Sequence, residues 1–88
     1  MGLYEAIDGL APGRRLEYHV RDNLTVVYEP YFHIAGRLDI AVRKRGIDSA
    51  GRLIDEDHGY EGVDHAWCEK QEEELRGLGI SPEAYNIA

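Results

Sequence analysis

The sequence predicts an α+β fold: a small antiparallel sheet of three to four strands within residues 14–56, with one C-terminal helix at about residues 64–76 packed on it. Three observations carry this. Apolar residues alternate with polar ones over several short stretches, turn-forming residues separate those stretches, and one late segment runs a dozen residues without a helix breaker. At 88 residues the chain has the size of one small domain, because either half alone would be too short to bury a core.

Taken in order, residues 3–10 open with a short helical turn that Gly9 and then Pro12-Gly13 stop, a lead-in that covers one end of the core. From Arg14 to Val20, Leu16, Tyr18 and Val20 alternate against Arg15, Glu17 and His19, the period of a half-buried strand. Asp22-Asn23 supplies turn chemistry, and Leu24-Thr25-Val26-Val27-Tyr28 is dense in β-branched and aromatic residues, so Arg14–Tyr28 reads as a hairpin.

Residues 30–46 support two readings. Pro30 is placed to open a helix with Tyr31, Ile34, Leu38 and Ala41 on one face, but Leu38, Ile40 and Val42 also alternate against Arg37, Asp39, Ala41 and Arg43. Strands are the favoured reading, because Asp48-Ser49-Ala50-Gly51 resembles a type I turn closed by a left-handed glycine, and Leu53-Ile54 beyond it needs a partner.

The last helix is capped by Asp64, with Val63 before it to pack on Cys68, and Gly77-Leu78-Gly79 to end it. Trp67, Cys68, Leu75 and Leu78 form its apolar stripe around Gln71. Ser81-Pro82-Glu83 then reads as one further helical turn that carries Tyr85 and Ile87 back to the body.

Charge is the most informative feature. Residues 1–54 carry seven acids against eight bases, whereas residues 55–74 carry nine acids against Lys70 alone, so all of the excess negative charge behind the net −7 belongs to one stretch of 20 residues. Such a segment repels nucleic acid and anionic lipid and attracts a basic surface. The expected function is therefore non-enzymatic. An inhibitor or adaptor offers Asp55, Glu56, Asp57, Tyr60, Glu61, Glu69, Glu72 and Glu73, with Trp67 at the margin, to the basic groove of a partner protein, most naturally a nucleic-acid-binding enzyme or complex. Phage-encoded anti-defence proteins, the anti-CRISPR proteins among them, share this size and charge, an analogy that no residue motif carries.

Other chemistries are less well supported by the residues. His58, His65 and Cys68 are metal-ligand types, but His-x6-His-x2-Cys is no established zinc spacing. Asp55-x-Asp57-x-Gly59 departs from a calcium loop at Tyr60 and Ala66. Cys68 with His65 as base lies in an acidic helix that disfavours a thiolate, so no catalytic residue and no cofactor is expected. Arg43-Lys44-Arg45 is a small basic cluster before a turn, insufficient for direct nucleic-acid binding, and Tyr28, Tyr31 and Phe32 are expected in the core. The lone Cys68 allows no internal disulfide, which leaves a homodimer or structural homo-oligomer as a further alternative. Without an apolar run near the roughly 20 residues a membrane span needs, or a signal-like N-terminus, a cytoplasmic location is expected.

Overall fold

The computed structural model describes residues 2–32, 40–48, 50–58 and 63–88. Its elements run α1 (Leu3–Asp8), β1 (Leu16–Arg21), β2 (Leu24–Phe32), β3 (Ile40–Ile47), β4 (Leu53–His58), α2 (His65–Gly77) and β5 (Asn86–Ile87). The strands form one antiparallel sheet in the order β4-β3-β2-β1-β5, with the helices on one face. The α+β expectation therefore holds, with a fifth strand added from the C-terminus.

The β1–β2 hairpin turns at Asp22-Asn23, where Asp22 adopts a left-handed φ of 48° and its carbonyl accepts from the His19 ring at 3.0 Å. Alternation sends Leu16 and Tyr18 of β1 and Val26 and Tyr28 of β2 to the helical side, where all four are buried. Pro30 does not open a helix. It continues β2 opposite Val42, two residues beyond the last β1–β2 pair at Leu16 and Tyr28, where β1 no longer flanks the strand and a missing N–H is tolerated. Residues 33–39 of the ambiguous segment lie outside the described residues.

The β3–β4 connection follows the turn chemistry read from the sequence. Gly51 N–H donates to the Asp48 carbonyl at 2.9 Å, and Gly51 has φ +81°. Asp48 Oδ1 also accepts from the N–H groups of Ala50 and Arg52, both at 2.9 Å. Near its end β3 makes a close approach to β2 at Gly46, where φ is +139° and a Cβ would stand 2.2 Å from the Thr25 carbonyl oxygen. That irregularity turns Ile47 into the core.

Asp64 caps α2, its Oδ1 accepting from Trp67 N–H at 2.8 Å, and Val63 and Cys68 join the same core cluster. The helix ends in a Schellman arrangement: Ile80 N–H reaches the Leu75 carbonyl and Gly79 N–H the Arg76 carbonyl, each at 2.9 Å, with Gly79 rather than Gly77 taking the left-handed φ of +79°. After it, Ser81-Pro82-Glu83 forms a turn and no helix. Ala84 N–H donates to the Ser81 carbonyl, and the chain then extends as β5 beside β1, locked by reciprocal Arg15 and Ala88 backbone bonds at 3.0 Å. The buried Tyr18 hydroxyl donates to the Pro82 carbonyl at 2.7 Å and ties this tail to the core.

Candidate functional site

The sheet separates the acidic residues expected to act together. Cross-strand partners share a face, so Asp55, opposite Arg45, and Asp57, opposite Arg43, lie on the side of the sheet away from α2. Both are engaged there: Asp55 takes a bidentate pair from Arg43 at 3.0 and 2.8 Å, and Asp57 accepts from the Tyr31 hydroxyl. The Arg43 guanidinium holds the Asp55 carboxyl below the usual carboxylate range. Glu29 adds a contact to Arg45 at 3.6 Å, and Arg15 bonds Glu17 at 3.0 Å. This face thus sets Arg15, Arg43 and Arg45 against Glu17, Glu29, Asp55 and Asp57, close to neutral.

The helical side is different. The two helices and the Asp64 cap carry Glu5, Asp8, Asp64, Glu69, Glu72, Glu73 and Glu74 against Lys70 and Arg76, a net charge of −5. Glu72 is partly withdrawn, accepting from Leu3 N–H at 3.2 Å, and Asp64 and Glu74 are used as cap and ion-pair partner. Glu5, Asp8, Glu69 and Glu73 are exposed and form no ion pair among the described residues. Glu5, Glu69 and Glu72 line one cleft of about 150 Å³ where α1 meets α2, so the acidic surface is continuous across the two helices.

Of the eight residues expected at the site, Glu69, Glu72 and Glu73 are thus brought together on α2. Glu56 stands on the β4 side of that helix, Asp55 and Asp57 belong to the opposite face, and Tyr60 and Glu61 lie outside the described residues. Glu5 and Asp8 join the surface without having been expected. Their signal was the short N-terminal helix itself, whose apolar Leu3 and Ile7 face inward and leave these acids outward.

Between β4 and α2 runs a second cleft, of about 340 Å³. At its floor lies Lys44, 3% exposed, its Nζ bonded to Glu74 at 2.7 Å and to Gln71 Oε1, and set 5.7 Å over the Tyr28 ring. Gln71 Oε1 accepts from the Tyr28 hydroxyl as well, at 3.1 Å. The basic cluster of the sequence is therefore split by the pleat, Arg43 and Arg45 outward and Lys44 inward. Trp67 and His58 form one wall, with ring centroids 5.0 Å apart, and His58 Nε2 lies 2.8 Å from Glu56.

The alternative metal set is not assembled. His65 stacks on Tyr4 of α1 with centroids 4.0 Å apart, His58 packs on Trp67 on the β4 side, and Cys68 points into the core. Among the described residues no group of three or more His, Cys, Asp or Glu side chains converges on a point. Burial first, then the carboxylates of Glu72, Asp64 and Glu5, pushes the Cys68 thiol up to about 12, a setting opposed to nucleophilic use. Among the described residues no helix is long and apolar enough to cross a membrane.

No protein-family model matches the chain, and no curated protein or solved structure matches it.

Proposed function

We propose that the protein is a non-catalytic binding module whose helical layer engages a basic surface on a partner protein, as an inhibitor or adaptor acting in the cytoplasm. The observation that carries this reading is the segregation of charge: the sheet face matches its acids with arginines, while the helical face leaves Glu5, Asp8, Glu69 and Glu73 exposed and unpaired among the described residues. Spaced carboxylates on a rigid support present anionic oxygens as a phosphate backbone does, which suits a groove built for nucleic acid. The partner is then a nucleic-acid-binding enzyme or complex, in the manner of the anti-defence proteins of phages.

Self-association is less favoured by the same residues. Among the described residues β4 pairs only with β3, and antiparallel self-pairing centred on Glu56 would oppose Glu56 to its own copy and Asp55 to Asp57 of the second copy. The test is affinity capture from a nuclease-treated lysate of the source cells at low and raised salt. The proposal expects a nucleic-acid-binding protein whose retention falls with salt and which a polyanion such as heparin displaces. Retention that ignores salt and heparin, or capture of the same chain alone, sinks it.

A further inference from the structure

We infer that the cleft between β4 and α2 is a receptor for a guanidinium group and takes one arginine side chain of the partner. The identity of the ligand's owner rests on the function proposed above; the chemistry of the cleft does not.

Its volume, about 340 Å³, is near the lower end of the roughly 300–1,000 Å³ of small-molecule sites and suits a single side chain better than a large cofactor. A group entering at the His58 end meets the Trp67 indole with the carboxylate of Glu56 close by, and Ile54 and Asp48 line the cleft further along the strands. An aromatic ring with a carboxylate close by is the pairing that recognises a flat cation, which stacks on the ring and offers N–H donors to the acid.

The cation already present at the floor does not reverse this sign. Lys44 has a side chain only 4% exposed and its charge is met by Glu74 at 2.7 Å, so it is spent within the protein. Lys70 lines the rim from the exposed side of α2 on a flexible stem, free to turn outward. An anionic ligand would face Asp48 and Glu56, and a compact ammonium would gain the charge contact without the planar stacking. His58 acts as a positioning residue: its ring packs against Trp67 and its Nε2 holds Glu56, so indole and carboxylate are set before a ligand arrives. The cleft borders the acidic helical layer, since Lys70 and Glu74 belong to the helix that carries Glu69 and Glu73.

Trp67 is the single tryptophan of the chain, so intrinsic fluorescence reports on this cleft directly. The full chain is titrated with N-acetyl-arginine amide, N-acetyl-lysine amide and N-acetylglutamate at constant ionic strength. The arginine probe is expected to give a saturable change with a Kd of about 1 mM, as the efficiency of small ligands allows. The lysine probe should bind several-fold more weakly and the glutamate probe should give no saturable change. Glu56→Gln, at an exposed position that leaves the fold intact by circular dichroism, should weaken arginine binding about fivefold. No saturable response to the arginine probe, an equal response to glutamate, or an unchanged affinity in Glu56→Gln overturns the inference. These probes need no partner. Arginine binding beside a helical layer that captures nothing would defeat the proposed function and leave the cleft standing, whereas partner capture without arginine binding would defeat the cleft alone.

Discussion

A lysine buried to the depth of Lys44 must have its charge met inside the protein, and Glu74, Gln71 and the Tyr28 ring do so from three sides. Removing the amine strands Glu74 and Gln71 in a half-buried site, so Lys44→Ala is expected to cost about 2 kcal/mol in urea unfolding, and Lys44→Met, which refills the space, clearly less. Equal losses for the two would show that the whole cost lies in the missing amine and that the refilled volume contributes nothing. The inward position of Lys44 was legible in outline: continuing the alternation of Ile40 and Val42 places residue 44 on their side, against Arg43 and Arg45. What local sequence does not contain is the partner, since Glu74 lies 30 residues away and reaches Lys44 only once α2 crosses the sheet. The same separation hid the division of the acidic run. Asp55, Glu56 and Asp57 are adjacent in the chain, but a strand sends neighbours to opposite faces, and only Glu56 remains on the helical side.

Elements with local chemical signals formed where their residues indicated. The β1–β2 hairpin, the Asp48–Gly51 turn and the Asp64-capped helix each rest on a side chain or glycine bonded to its own neighbourhood. The tail is the exception. Ser81-Pro82-Glu83 carries a helix-start pattern, yet the free edge of β1 offers backbone partners to residues 86–88 and Tyr18 binds the Pro82 carbonyl, so tertiary pairing outweighs a weak local preference. Two substitutions separate these contributions. Asp64→Ala removes a cap and should cost about 1 kcal/mol. Gly46→Ala forces a Cβ into the Thr25 carbonyl at a φ that side chains rarely adopt, and should cost at least about 2 kcal/mol or prevent folding. Denaturant midpoints with an unchanged slope would read both, and a neutral Gly46→Ala would contradict the close approach of β3 to β2.

At the scale of the whole molecule, charge and burial set how the fold responds to pH. Burial raises the phenols of Tyr18 and Tyr28 and the thiol of Cys68 above their ordinary values. Their unfolded forms ionise from about pH 8.5–10 while the folded forms resist, so stability is intact below that window and falls as pH rises toward about 12, the value for Cys68. Backbone N–H groups hold Asp48 low, Arg43 holds Asp55 low and the Ser81 hydroxyl holds Glu83 low, so the stability they add is present above the usual carboxylate range of about 4 and lost as pH falls through their lowered values. A plateau between about pH 5 and pH 8.5 in thermal midpoints checks both signs. The same segregation that leaves the helical layer acidic is the centre of the functional account. The most direct measurement of it compares two variants of equal net charge for binding to the captured partner by calorimetry: Glu69→Lys with Glu73→Lys on the helical face, and Glu17→Lys with Asp57→Lys on the sheet face. The helical pair is expected to weaken binding at least about tenfold, with the sheet pair near the parent protein and both still folded. Equal weakening by the two pairs would mean that net charge alone is sensed, and an unaffected helical pair would contradict the proposed surface outright.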